Sequence, residues 1–180
     1  MRVSNEGLNT ASFEDLALPL FEQLYNFAHW LTQDRAEAED LVQETYAKAL
    51  RGFSSFQPGT NFRAWMYRIL RNSFLSSRTG LKTMVVLDEE NGEALPAETA
   101  TAEALLIERA NQQLVQQAME ALPLPFREIL LLCEVEEMSY QEISEALAIP
   151  IGTVMSRLSR ARKALRGALQ TRMTGGRRGM

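Results

Sequence analysis

Arg157, Arg160, Arg162, Lys163 and Arg166 place five cations within ten residues and no acid among them. Guanidinium groups at that spacing can take phosphate oxygens, or hold a guanine edge through two hydrogen bonds worth about 1–3 kcal/mol of discrimination. A second segment, residues 62–72, interleaves Trp65 and Tyr67 with Arg63, Arg68 and Arg71. Cations for phosphates and ring faces for extruded bases are what an opened nucleic-acid strand requires. A third set is acidic: Glu37, Glu39, Asp40 and Glu44. Glu37, Asp40 and Glu44 can share a helix face, which raises a metal. Yet the sole histidine, His29, stands at no ligand spacing to them, so a solvated docking face is expected. No Gly-rich phosphate loop or activated nucleophile is apparent, and no metal, cofactor or catalytic residue is expected.

A net charge of −4 by itself disfavours a polyanionic partner. The distribution of charge reverses that argument. Residues 1–44 carry two basic and nine acidic side chains, and residues 45–87 carry seven basic and none acidic. Residues 88–145 then carry two basic and fourteen acidic side chains, and residues 146–180 eight basic and none acidic. Two basic blocks set apart by acidic ones imply two distinct anion-binding surfaces.

Positioning those blocks requires folded elements. With 46% hydrophobic and 23% charged residues the chain is expected to be globular. No apolar run approaches the roughly 18–20 residues needed to cross a bilayer. Met1–Thr10 is polar and lacks a secretion-signal plan, so a soluble cytoplasmic protein is expected. Cys133 is alone and sits in the apolar run Ile129–Cys133, which predicts a buried structural thiol.

The pattern predicts helix nearly throughout. Leu16, Leu20, Leu24, Phe27 and Leu31 form one amphipathic stripe. Asp34 caps the next helix, which turns Leu41, Val42, Thr45, Ala49 and Leu50 inward and ends at Gly52. A loop over Phe53–Asn61, broken at Pro58-Gly59, leads to a helix from about Phe62 to Arg78 with Phe62, Trp65, Met66, Ile69 and Leu70 inward. Trp65 is read as core; Tyr67 fits either core or strand contact. The acidic stretch from Asp88 to Thr99 reads as a linker. Helix returns with Leu106, Ala110, Leu114, Ala118 and Leu122, and Pro123 and Pro125 stop it. A helix over Phe126–Val135 follows, then a capping box, Ser139 with Glu142, opening a helix through Leu147. After the turn Ala148-Ile149-Pro150 the last helix runs from Ile151 to about Leu169, and a Gly- and Arg-rich tail from Thr174 is expected to be disordered.

Two short helices joined by a tight turn, the second strongly basic, form the pattern of a helix-turn-helix. Val154, Leu158, Ala161 and Leu165 pack inward, and the opposite face carries Met155, Ser156, Ser159, Arg160 and Lys163, flanked by Arg157, Arg162 and Arg166. The run Pro150-Ile-Gly-Thr-Val-Met-Ser-Arg-Leu-Ser-Arg-Ala-Arg162, with Met138–Leu147 before it, resembles region 4 of the extracytoplasmic-function (ECF) sigma factors of the sigma-70 family. The resemblance implies that this helix reads the −35 promoter element through Met155, Ser156, Arg157, Ser159, Arg160, Arg162 and Lys163, with Arg160 foremost. Two departures stand out: Met155 where the family often has lysine or arginine, and Ala148 where a turn glycine is common.

The first half is similar to region 2 of the same family. Asp34–Leu50 resembles its core-polymerase docking helix, which implies that Asp40, Gln43, Glu44 and Lys48 meet the clamp helices. Phe62–Asn72 resembles the −10 reading segment, which implies contacts from Phe56, Asn61, Arg63, Tyr67, Arg68, Arg71 and Asn72, with Phe56 and Asn72 at the pocket for a flipped base. Ser76-Ser77 replaces the charged pairs often found there. The expected architecture is all-α: a region 2 bundle over residues 12–82, a flexible acidic linker over 83–104, a region 4 helix-turn-helix over 105–170 and a basic tail over 171–180. By resemblance, the acidic linker threads toward the RNA exit path of polymerase. The implied partners are core RNA polymerase, through clamp helices and flap, promoter DNA and an anti-sigma factor. A conventional helix-turn-helix regulator is the nearest rival; it explains residues 126–169 but leaves the Asp-Leu-Val-Gln-Glu and Trp/Tyr/Arg helices without a purpose.

Overall fold

The computed structural model describes residues 11–79 and 102–175, with side chains resuming at Ile107. Most of the expected linker and the tail beyond Gly175 lie outside the described residues. Every regular element among the described residues is helical, and two compact units divide between Leu81 and Lys82.

In the first unit, Ser12 and Asp15 form a capping box that starts α1 (Phe13–Ala17). The stripe from Leu16 to Leu31 is not one helix. Pro19 has no N–H to give and its ring crowds the preceding turn, so Leu18–Leu20 tightens to a 3-10 turn before α2 (Phe21–Thr32). Leu24, Phe27 and Leu31 are buried as expected, while Leu16 and Leu20 are half-buried. Gln33 leaves α2 in the left-handed conformation, φ 58°. Asp34 then caps α3 (Arg35–Gly52), its Oδ1 accepting the Glu37 N–H at 2.9 Å. The Glu37 carboxylate reaches across to Arg78 at 3.0 Å, joining the start of α3 to the end of the next long helix.

Ala38, Leu41, Val42, Thr45 and Ala49 form the inner face of α3. Leu50 does not join them and is 57% exposed. The four-residue step from Thr45 lands on Ala49, and Leu50 falls on the flank. The Tyr46 hydroxyl donates to the Ala17 carbonyl at 2.6 Å, and burial pushes its pKa up to about 12. A 3-10 turn (Phe53–Ser55) precedes α4 (Phe62–Thr79). The inward stripe of α4 is Phe62, Met66, Tyr67, Leu70, Ser73 and Phe74. Trp65 and Ile69, expected in the core, are half-buried at its edge.

The second unit opens with α5 (Ala102–Glu120). Next, α6 (Leu124–Leu130) starts two residues before the expected Phe126, because Pro125 falls in the first turn, where no N–H is required. A π-helical turn (Leu131–Val135) extends it, followed by α7 (Tyr140–Leu147) and α8 (Ile151–Gly175). The last helix outruns the expected Leu169 by six residues and absorbs Thr174 and Gly175, which were expected in the tail. Ile129–Leu132, Ile143, Ala146, Leu147, Val154, Leu158 and Ala161 make the core.

One side chain closes the α5–α6 corner. Arg127 donates from Nε to the Met119 carbonyl at 3.2 Å and from Nη2 to the Glu120 and Leu122 carbonyls at 3.0 and 3.2 Å. The Met119 and Glu120 carbonyls lie in the last turn of α5, where helix carbonyls run out of intrahelical donors. The Leu122 carbonyl lies in the turn beyond it, and the Met119 carbonyl also accepts the Leu122 N–H at 3.1 Å. Burial lowers the Arg127 pKa, and the nearby Glu120 partly offsets this. Arg127→Met keeps the stem and removes the donors. It is expected to cost about 2 kcal/mol, read as a lower urea midpoint of the helical circular-dichroism signal; an unmoved midpoint contradicts this role.

Candidate nucleic-acid interface

The helix-turn-helix is pinned at three points. At its start the Ser139 N–H donates to Glu142 Oε2 at 2.8 Å, and the Glu142 N–H donates to Ser139 Oγ at 3.1 Å. At the turn Ala148 adopts φ 53°, ψ 48°, the left-handed region, and its N–H donates to the Ser144 carbonyl. The Ile149 N–H donates to the same carbonyl at 3.1 Å, and the Ser144 hydroxyl donates to the Ile149 carbonyl at 2.5 Å. Beyond the turn, Val154, Leu158 and Ala161 bury the inner side of α8.

That anchoring leaves Met155, Ser156, Ser159, Arg160 and Lys163 exposed on the outer side, with Arg157 half-buried. Arg160 contacts its own helix, Nε to the Ser156 carbonyl at 3.4 Å. Arg162 is placed differently. Its Nη2 and Nε donate to Glu134 Oε1 at 2.7 and 3.0 Å, and Nη2 lies 3.6 Å from Cys133 Sγ. Hydrogen bonds to Glu134 and then Tyr140 raise its pKa further. Arg162 therefore braces α8 against the π-helical turn. No local pattern marks Glu134 as its partner, 28 residues away. Cys133 is half-buried, short of the full burial expected. Burial and then Glu134 push its thiol up, partly offset by Arg162, so it is a poor nucleophile at neutral pH.

In the first unit, Phe56 is half-buried in an aromatic cluster, 5.1 Å from Trp65, 5.3 Å from Phe62 and 6.1 Å from Phe53 between ring centroids. Asn61 Oδ1 accepts the Ala64 N–H at 2.9 Å and so helps start α4. Arg68 and Asn72 are exposed one turn apart, and Arg71 is half-buried. The Arg63 guanidinium lies 5.8 Å from the Tyr67 ring centre. Tyr67 itself is 1% exposed and packs on Phe27 with centroids 5.2 Å apart. Its expected place among strand-contacting residues is corrected: it lies on the same inward stripe as Met66 and Leu70. On α3, Asp40, Gln43 and Glu44 are exposed. Lys48 is half-buried, paired to Glu44 at 2.8 Å and donating to Ser73 Oγ at 3.0 Å. The exposed Leu50 lies further along α3 and was missed from sequence. Among the described residues, Arg68, Arg160 and Lys163 pair with no acid. No described helix is long and apolar enough to cross a membrane.

Comparison with known proteins fits both units. Residues 20–82 match the sigma-70 region 2 family and residues 112–165 match sigma-70, region 4. The ECF RNA polymerase sigma factor EcfG of Rhodopseudomonas palustris is 33% identical over 160 residues, 89% of this chain and 86% of that relative. The ECF RNA polymerase sigma factor SigE of Mycolicibacterium smegmatis is 36% identical over 160 residues, covering 88% of this chain but 62% of that longer relative. This chain is an ECF sigma factor of the sigma-70 family. Among solved structures, the sigma factor RpoE of Bartonella quintana, in complex with the anti-sigma factor NepR, superposes with a TM-score of 0.70 at 30% identity, covering 87% of this chain and 98% of that one. CnrH, solved with the cytosolic domain of CnrY, shares the fold with a TM-score of 0.63 at 22% identity, covering 89% and 91% of the two chains.

The turn of this sigma factor carries a measurable strain. A left-handed residue with a Cβ costs about 1–2 kcal/mol, which glycine avoids at some loss of unfolded-chain entropy. Ala148→Gly is expected to stabilise the protein by about 0.5–1 kcal/mol, seen as a higher urea midpoint at unchanged slope. A lower midpoint contradicts the left-handed turn.

Proposed function

We propose that this sigma factor binds core RNA polymerase and directs it to promoters by reading −35 and −10 elements, without catalytic activity of its own. The observation that carries the reading is the outer face of α8, where Arg160 and Lys163 stand exposed and unpaired with acid on a capped helix-turn-helix. A helix of that width enters the major groove, its first turns meeting base edges and its later cations meeting phosphates. The −10 strand is assigned to Phe56, Arg63, Arg68, Arg71 and Asn72, with Asn61 shaping the approach. Asp40, Gln43, Glu44 and Lys48 are assigned to the polymerase clamp helices.

In this reading, residues 12–82 form the docking and −10 domain and residues 105–170 the −35 domain, joined by residues 83–104. The protein acts in the cytoplasm, where its polymerase and promoters are. An anti-sigma partner is proposed from the likeness to RpoE, which was solved bound to one.

Run-off transcription with core polymerase on a promoter library tests the proposal. The chain is expected to create start sites that core enzyme alone does not use. Arg160→Ala and Asn72→Ala are each expected to cut those transcripts about tenfold or more, while leaving association with core unchanged. A chain that does not associate with core, or that leaves its start sites unaltered, overturns the reading.

A further inference from the structure

The leading turns of α8 lack charge. From Ile151 to Ser156 the side chains are isoleucine, glycine, threonine, valine, methionine and serine, and the first cation, Arg157, is half-buried. Val154 points into the core, whereas Met155 is 54% exposed and Ile151, one turn before it, 39% exposed. The hydroxyl of Ser156 turns back onto its own helix, donating to the Thr153 carbonyl at 3.2 Å. The end of a recognition helix that meets base edges thus offers an apolar side chain, with the unpaired cations Arg160 and Lys163 set behind it to hold phosphates.

Only one base presents an apolar group in the major groove: thymine, through its C5-methyl. A thioether side chain is long, unbranched and polarizable, and closes on such a group without a fixed rotamer. A lysine or arginine at this position would instead take phosphate or a guanine edge. We propose that Met155 is a specificity-determining residue that reads a thymine methyl in the −35 element. The inference rests on the reading of α8 as the −35 helix and adds the identity of the group it selects.

The probe is the duplex that the full chain with core polymerase enriches from a library randomised in the −35 element. Each thymine in that duplex is replaced in turn by deoxyuridine, which removes the methyl and keeps every hydrogen-bonding group. With Met155 in place, one thymine is expected to show about fourfold weaker holoenzyme binding on replacement, the value of one buried methyl. In Met155→Ala the same replacement is expected to change affinity less than about 1.5-fold, and Met155→Leu is expected to restore the sensitivity. Indifference at every thymine overturns the inference, as does a penalty of equal size in Met155→Ala. Enrichment of no −35 sequence removes the −35 reading and this inference with it. Enrichment with methyl indifference removes the inference alone.

Discussion

A chain of net charge −4 can hold a polyanion only where its cations are gathered away from its acids. That constraint organises both units. Acids and cations do meet: Arg35 with Glu39 and Glu44 with Lys48 join successive turns of α3, and Glu37 with Arg78 and Glu134 with Arg162 join neighbouring elements. Among the described residues, the exposed cations that pair with no acid include Arg51 and Arg68 in one unit and Arg160, Lys163 and Arg166 in the other. Screening in physiological salt reaches about 8 Å, so the charge within that radius matters more to a bound phosphate than the net charge of the chain.

Presenting α8 is mostly a matter of backbone accounting. The Ser139–Glu142 box satisfies the free amides at the start of α7, Ala148 takes the left-handed conformation at its end, and the Ser144 carbonyl collects the turn amides. These local bonds hold the turn, and Val154, Leu158 and Ala161 hold the helix. Glu134 adds a brace at the cost of one cation, since an arginine engaged by a carboxylate through two donors is poorly placed to take phosphate as well. The same frugality appears at Asn61, whose side chain helps start α4.

Much of this was legible in the sequence because it is local. The Asp34 and Ser139 caps, the inward positions of α8 and the charge blocks all depend on residues a few places apart. What was missed depended on competition or distance. The stripe from Leu16 to Leu31 hid Pro19, whose missing N–H outweighs hydrophobic periodicity. Trp65 was read as core from its place on the apolar stripe and Tyr67 was left open, whereas Tyr67 is the ring that packs on Phe27 and Trp65 lies at the edge of the core. Leu50 looked inward because it is apolar, yet its place on α3 puts it on the flank. The partner of Arg162 was not foreseen because nothing near it in sequence announces Glu134.

The central claim is that the two cationic surfaces are separate readers, one of duplex and one of opened strand. The most direct test measures holoenzyme binding to two probes, a −35 duplex and a single-stranded −10 segment, for Arg160→Ala and Arg68→Ala. The account predicts that Arg160→Ala weakens the duplex probe at least about tenfold and spares the single strand, and that Arg68→Ala does the reverse. Equal losses on both probes from either variant would mean one continuous anion surface and would contradict the account.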